Sequence, residues 1–254
     1  MDVSGFYDRL AGAYHLIYSD WRKGVARQGA VLDRLIRTYL SDGPHRVLDC
    51  TCGIGTQAIG LATRGHSVHG TDLSAASVER AAREAATFAV DATFDVADVR
   101  ALQAVVPGEF DVVITCDNSL PHLLTDDELD AATRSMRAKL RHQGLLIASI
   151  RDYDQLVRTR PRFDDPRLIE DDAGTRVVLQ QWDWSVDGSR YTVNHFIMSK
   201  SDGSWTLAHG SVEYRALLRK DLDASLARNG FGDMKWHAPS STGYFQPVVT
   251  ARAR

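Results

Sequence analysis

The chain has 254 residues, of which 44% are hydrophobic, and its formal net charge is −3. That length and hydrophobic content suffice for one sizeable core with room for an insertion. Because there is no basic excess to neutralise phosphates, we expect no nucleic-acid partner. No apolar run reaches the length of a membrane span, and the N-terminus lacks the basic and apolar segments of a signal peptide, so we expect no membrane partner.

Three cysteines are present: Cys50, Cys52 and Cys116. A low, odd number argues against a disulfide framework and fits a reducing, cytoplasmic location. Cys50 and Cys52 are too closely spaced for a metal-binding pair, and no Cys/His pair elsewhere completes a zinc set. We therefore expect no metal site.

The first two thirds of the chain alternate between helical and strand patterns. Residues 6–40 carry apolar and aromatic positions at helical spacing, interrupted by glycines. Predicted strands follow at 46–50, 66–72, 92–96, 110–116 and 144–150, and predicted helices at 57–63, 75–88 and 125–140. This alternation predicts an α/β fold with a doubly wound, Rossmann-like parallel sheet.

The pattern changes after residue 154. Period-two runs at 177–186, 189–199 and 205–217 are separated by Asp-Gly pairs, which predict an antiparallel meander of three strands. A helix at 219–229 and strands near 234–237 and 246–251 complete a seven-stranded sheet. An insertion after the fifth strand emerges at the carboxyl edge of the sheet, where ligands bind, so we expect it to cover the site.

We therefore predict three units. They are an N-terminal helical arm at 1–40, a Rossmann-like core at 41–154 and 219–254, and an antiparallel substrate-lid insertion at 155–218.

A glycine-rich segment follows the first predicted strand directly. Gly53 and Gly55 let the backbone approach a ligand and turn into a helix start, although such a pattern also fits a dinucleotide. Asp49, at the strand end, would repel a pyrophosphate but suits the ammonium and sulfonium of S-adenosylmethionine; a helix cap is its alternative role. We therefore predict S-adenosylmethionine as the cofactor.

Two further carboxylates end neighbouring strands. Asp72 can accept hydrogen bonds from both ribose hydroxyls. Asp98 can accept from the adenine amino group, the alternative being ordinary loop polarity.

Residues 47–61 resemble class I S-adenosylmethionine-dependent methyltransferases. Three more stretches resemble glycine N-methyltransferase and the bacterial glycine/sarcosine N-methyltransferases: YHLIYSDW at 14–21, DNSLPHL at 117–123 and GLLIASIRDYD at 144–154. The resemblance covers most of 6–158, returns weakly at 243–247 and implies an enzyme. The predicted cofactor-binding residues are Tyr14, Asp49, Cys52, Gly53, Gly55, Thr56, Asp72, Leu73, Asp98, Val99, Asp117 and His122.

The same resemblance assigns the catalytic candidates. The asparagine matching Asn118 helps to hold the acceptor amine, and the arginine matching Arg151 grips its carboxylate. The histidine matching His122 lies beside the cofactor, and the aromatics matching Tyr14 and Tyr18 close over it.

Each candidate also has its own chemistry and its own structural alternative. The planar fork of Arg151 suits a carboxylate, but a salt bridge to Asp152 or Asp154 is the alternative. The side-chain oxygen of Asn118 can position an amine, or the residue can stabilise a turn. His122 can act as a general base or simply pack.

Together these features predict methyl transfer from S-adenosylmethionine to a small molecule. The expected acceptor is the amine of a small amino acid such as glycine or sarcosine. Alternatives are an O- or N-methyltransferase of a specialised metabolite, a dinucleotide-dependent dehydrogenase and a non-catalytic cofactor-binding protein. Besides the small-molecule acceptor, further copies of the chain in a homo-oligomer are a possible partner.

Overall fold

A computed structural model describes residues 3–171 and 174–254. The helices are α1 Val3–Leu10, α2 Trp21–Tyr39, α3 Thr56–Ala62, α4 Ala75–Thr87, α5 Asp126–Arg137, α6 Tyr153–Thr159, α7 Arg219–Arg228 and α8 Pro239–Thr242. Short 3₁₀ helices span Tyr14–Ile17, Val99–Ala104 and Leu120–His122. The strands are β1 Arg46–Asp49, β2 Ser67–Asp72, β3 Ala92–Val96, β4 Phe110–Thr115, β5 Leu140–Ser149, β6 Arg167–Asp171, β7 Gly174–Trp184, β8 Arg190–Ser201, β9 Ser204–Arg215, β10 Phe231–His237 and β11 Val248–Ala253. No helix in the described ranges is both long and apolar enough to cross a membrane.

The larger sheet has seven strands in the order β10-β11-β5-β4-β1-β2-β3. Strands β1 to β5 pair in parallel, and β11 pairs antiparallel with both β5 and β10. The apolar runs of β1, β4 and β5 are buried because helices cover both faces of the sheet. The predicted Rossmann-like α/β fold is confirmed, and the carboxyl ends of the parallel strands meet at one edge.

Strand β5 begins earlier than predicted. The helix expected to reach residue 140 ends at Arg137, and β5 starts at Leu140 rather than at 144. Phe110 pairs with Leu140 and Val112 with Leu145, so the register shifts between them. Gln143 adopts a φ of +60° at this irregularity. The polar residues of the irregular stretch hide the strand from a hydrophobic pattern.

The insertion forms a second, antiparallel sheet in the order β6-β7-β8-β9. The prediction of three strands is wrong by one, because β6 pairs with β7 as a fourth. In β6 the apolar residues Leu168 and Ile169 are adjacent in sequence, and only Ile169 is buried, so the strand carries no period-two signal. The sheet lies at the carboxyl edge of the larger sheet, since Tyr191 of β8 accepts a hydrogen bond from Arg151, which follows β5. Its predicted role as a substrate lid stays a prediction.

The N-terminal arm folds against the same edge. Asp8 of α1 accepts hydrogen bonds from the Ser74 hydroxyl (2.6 Å) and the Ala76 N–H (3.2 Å), at the start of α4. Further along, α2 packs closely on α3, where a Cβ on Gly29 would lie 2.2 Å from the Gly60 carbonyl oxygen. The start of the arm is thereby placed beside the loops that follow the parallel strands.

Candidate cofactor and acceptor site

A cavity of about 360 Å³ opens at the carboxyl edge, between these loops and the arm. Its lining includes most of the predicted cofactor residues, namely Tyr14, Cys52, Gly53, Thr56, Asp72, Leu73, Asp98, Val99, Asp117 and His122. Asp49, Gly55, Asn118 and Arg151 lie outside the lining that the described residues form. The structure therefore brings the cofactor candidates together and sets the two proposed acceptor ligands behind the cavity wall.

Asp72 ties the glycine-rich loop to the end of β2. Its carboxylate accepts hydrogen bonds from the N–H groups of Gly53 and Ser74, both at 2.9 Å. Burial raises the pKa of Asp72. A carboxylate can accept more than two hydrogen bonds, so Asp72 still has capacity for the hydroxyls of a ribose.

Gly55 is required by the fold of the loop. Its φ is +90°, in the left-handed region, and a Cβ there would lie 2.9 Å from Ile59 Cδ1. Gly53 also has a positive φ (+52°), but nothing lies within 4 Å of its would-be Cβ. The space over Gly53 lets a ligand approach the backbone.

Asp49 lies behind the cavity wall with one carboxylate oxygen, Oδ2, buried and lacking a hydrogen-bond partner among the described residues. Burial raises its pKa to about 7. A buried polar atom without a partner is rare and calls for an explanation. A positively charged group bound over the loop would favour the ionised carboxylate, and this fits the ammonium and sulfonium of S-adenosylmethionine.

Asp98 is committed to Arg100, which also lines the cavity. The Arg100 guanidinium donates hydrogen bonds to both carboxylate oxygens of Asp98, and it forms an ion pair with Glu128 as well. Burial opposes ionisation of Asp98, but the hydrogen bonds from Arg100 outweigh it and lower the pKa. The predicted contact with the adenine amino group remains a prediction.

Asn118 is predicted to position the acceptor amine, and this role stays a prediction. Its side-chain oxygen already accepts from the Arg151 N–H and the Tyr153 hydroxyl, both at 3.0 Å. Its Nδ2 is buried and has no partner among the described residues. Asn118 therefore adjoins Arg151 instead of facing it across a crevice, and its remaining polar group is a donor.

Arg151 does not form the salt bridge to Asp152 or Asp154 that was its predicted alternative role. That alternative is wrong, because both carboxylates pair with Arg219. The Arg151 guanidinium instead donates to the Tyr191 hydroxyl (3.0 Å) and to Gln180 Oε1 (3.1 Å). It also lies 4.6 Å from the centre of the Trp182 ring. No carboxylate forms an ion pair with Arg151 in residues 3–171 and 174–254.

His122 is held between two tyrosines. Its Nε2 lies 2.8 Å from the Tyr7 hydroxyl, and its ring centre lies 4.2 Å from that of Tyr214. Burial lowers its pKa to about 4. Such an imidazole holds a proton weakly, which favours packing over a general-base role.

Asp117 presents a carboxylate to the cavity from the loop after β4. It accepts a hydrogen bond from the Tyr18 hydroxyl (3.1 Å), and Gln246 Nε2 lies 3.5 Å from its other oxygen. Burial raises the pKa of Asp117 to about 6.

Sequence reasoning missed Tyr7, Tyr214 and Gln246 as site residues. Tyr7 is 115 residues from His122 in sequence, and no spacing or motif links such distant positions. Gln246 lies in the stretch GYFQP at 243–247, where a weak resemblance to the methyltransferases offered the one usable signal.

The Rossmann-like sheet, the glycine loop and the carboxylates at the strand ends agree with the predicted class I methyltransferase. Residues 47–144 match the family described as a methyltransferase domain. Residues 47–144 therefore carry a methyltransferase domain. The predictions of an enzyme of this class and of S-adenosylmethionine as its cofactor are confirmed at the level of this domain.

Among curated proteins, the chain is 33% identical over 156 residues to the glycine/sarcosine N-methyltransferase of Parasynechococcus marenigrum (strain WH8102), which covers 61% of this chain and 51% of that protein. It is 32% identical over 160 residues to the glycine N-methyltransferase of Rattus norvegicus, covering 59% and 54%. The chain thus matches these relatives over about half of their length.

Among solved structures, the sugar N-methyltransferase KedS8 from Streptoalloteichus sp. ATCC 53650 superposes with a TM-score of 0.78. The identity is 18%, and the match covers 95% of this chain and 93% of that chain. This similarity extends the shared fold to nearly the whole chain.

Proposed function

We propose that this chain transfers the methyl group of S-adenosylmethionine to the amine of a small amino acid. One observation carries the proposal: Arg151 is a largely buried guanidinium with no carboxylate partner in the described ranges. A buried charge is costly unless it is paired. The carboxylate of an amino-acid acceptor would supply the missing partner. The amine of that acceptor would then lie on the cavity side of Arg151.

Two more donors support an anion beside Arg151. Asn118 Nδ2 and Trp182 Nε1 are buried and have no partner among the described residues. Asn118 accepts from the Arg151 main chain, and the Trp182 ring lies against the Arg151 guanidinium. Both unpartnered atoms are donors, and a carboxylate could accept from them.

The acceptor has to reach past the cavity wall, because Arg151 is not part of the lining. Tyr14 lies at this boundary: it lines the cavity, and the charges of both Asp117 and Arg151 act on its hydroxyl. Burial raises the pKa of Tyr14 well above its ordinary value, so it stays neutral and does not act as a counter-ion for Arg151.

Methyl transfer mainly requires that the nucleophile, the methyl group and the sulfur are aligned and that water is excluded. When bound, S-adenosylmethionine supplies an electrophilic methyl group on sulfur. In this chain the glycine loop and Asp72 would hold the cofactor, while Tyr7, Tyr14 and Tyr18 would close the cavity from the arm. Arg151 would fix the acceptor carboxylate and so direct its nitrogen.

Incubation of the full chain with methyl-labelled S-adenosylmethionine tests the proposal. The acceptors would be glycine, sarcosine, a nucleotide-linked amino sugar and a simple phenol, each in a separate reaction. Label in glycine or sarcosine supports the proposal. Label confined to the amino sugar or the phenol overturns the amino-acid acceptor and favours a specialised metabolite, while Asp72→Asn should lower labelling of every acceptor.

A further inference from the structure

Asp117 and Asn118 are two consecutive non-glycine residues in the left-handed region, with φ values of +59° and +67°. Such conformations carry strain and persist only where the surroundings enforce them. Here the Asp117 N–H donates to Ser149 Oγ (2.9 Å), and the Asn118 N–H donates to the Ser149 carbonyl (3.3 Å). The side-chain oxygen of Asn118 is fixed as well, by the N–H of Arg151.

The consequence of this enforced turn is the direction of two side chains. Asn118 points inward to the structure around Arg151, whereas Asp117 lines the cavity. The partners of the Asp117 carboxylate, Tyr18 and Gln246, are neutral. No ion pair with Asp117 occurs in the part of the chain that the structure describes.

We propose that Asp117 receives the acceptor's ammonium group and takes its proton before methyl transfer. This inference rests on the proposed function, because it assumes an amine acceptor. With Arg151 on the carboxylate, an amino acid would bridge two opposite charges that interact electrostatically but form no ion pair within residues 3–171 and 174–254.

The proton balance is complete without another reactant. The ammonium R–NH₃⁺ gives one proton to the Asp117 carboxylate and becomes R–NH₂. The nitrogen lone pair forms the bond to the methyl carbon as the carbon–sulfur bond breaks, and its electron pair stays on sulfur. The product R–NH₂⁺–CH₃ keeps two protons on nitrogen, and Asp117 releases its proton to solvent.

The groups around Asp117 set the pH at which it can act. Burial raises its pKa to about 6, while the hydrogen bond from Tyr18 and the charge of Arg151 act in the opposite direction. The other titratable groups that interact with its charge are Tyr14 from the arm, Cys116 from its own loop, Tyr214 from β9 and Tyr244 near the C-terminus. Burial raises the pKa of each of these four groups, so all four are neutral near pH 6. Asp117 is then mainly ionised, and able to accept a proton, above about pH 6.

The competing role for Asp117 is to bind the ammonium of the cofactor itself. Asp49, below the glycine loop, already offers an unpartnered carboxylate oxygen on that side, whereas Asp117 lies near Arg151. The two roles differ in which binding constant depends on Asp117.

The test is Asp117→Asn in the full chain, because asparagine tolerates a positive φ and keeps the side-chain shape. With sarcosine or glycine as acceptor, we expect kcat/KM to fall by about 10²–10⁴. The acid limb of its pH profile near pH 6 should disappear, while the Kd for S-adenosylmethionine stays within about threefold. Asp95→Asn, at an exposed position on β3, should change neither quantity. Tyr18→Phe is a second variant: without the hydroxyl bond, the acid limb should move to higher pH.

Each outcome separates the hypotheses. If the wild-type chain methylates an amino acid and Asp117→Asn keeps its rate and acid limb, the role of Asp117 is overturned and the proposed function stands. A tenfold weaker Kd for the cofactor with an unchanged kcat makes Asp117 a cofactor ligand instead. If the wild-type chain methylates no amine, both fail. Should Asp117→Asn not fold, an acid limb unmoved by Tyr18→Phe overturns the inference.

Discussion

The main-chain N–H of Arg151 donates a hydrogen bond to the side-chain oxygen of Asn118 at 3.0 Å. A main-chain N–H can only donate, so this bond fixes which end of the amide faces Arg151. The Nδ2 end is left buried and unpartnered among the described residues. The unpartnered group that Asn118 offers to a ligand is therefore a donor, which suits an acceptor atom such as a carboxylate oxygen.

Replacing Asn118 should lower stability in two separable ways. Asn118→Ala removes the acceptor for the Arg151 N–H and the Tyr153 hydroxyl, which should cost about 1–3 kcal/mol, and it places alanine at a positive φ. Asn118→Gly removes the same side chain but accepts that φ, so it should be less destabilised. Chemical denaturation of both variants measures the difference. Wild-type stability in both would show that the bonds contribute nothing.

Asp72→Ala should weaken binding of S-adenosylmethionine by about 1–3 kcal/mol through lost ribose hydrogen bonds. The structure adds a second reason, because Asp72 also orders the loop through the Gly53 N–H. Calorimetry measures the affinity, with Asp202→Ala in the exposed turn between β8 and β9 as the control. Unchanged affinity in Asp72→Ala would remove Asp72 from the site.

Arg151→Lys should raise the acceptor KM far more than it alters cofactor binding. Lysine keeps the charge but loses the planar fork that reaches both Tyr191 and Gln180. Steady-state kinetics with sarcosine gives the KM, and Arg219→Lys nearby should leave it unchanged. If the acceptor KM of Arg151→Lys is unaffected while its Tm falls, Arg151 is structural and the amino-acid acceptor fails. The methyltransferase domain would not be in question.

His122 should make stability depend on pH. Burial lowers its pKa from 6.5 to about 4. Between these pH values the imidazole is therefore protonated in the unfolded chain and neutral in the folded chain. Its contribution to the free energy of unfolding should therefore fall as the pH drops from 6.5 towards 4. When the pH is lowered from 7 to 5, the free energy of unfolding should fall less in His122→Gln than in wild type. The difference between the two falls should be at most about 2 kcal/mol. Denaturation at both pH values measures this, and His142→Gln, at an exposed position, should behave as wild type.

The sequence predicts those features of the fold that depend on residues close together along the chain. The capping box at the start of α5, where Thr125 and Glu128 cap each other, follows from residues three apart. The Asp-Gly turns predicted two hairpins, and the structure has both. The sequence did not predict strand β6 or the early start of β5, because their residues pair within the sheets without an apolar period of their own.

The residues of the site fall into the same two groups, those that the sequence predicts and those that depend on tertiary contacts. The glycine loop and the carboxylate at the end of β2 could be predicted from the sequence, because each is marked by residue types within a few positions of a strand end. Three contacts of the site depend on tertiary packing: Asn118 with Arg151, Arg219 with Asp152 and Asp154, and Tyr7 with His122. The physical reason is that backbone conformation is set by local sterics and periodicity, whereas the partner of a buried polar group depends on how distant segments pack and on the register of the strands that carry them.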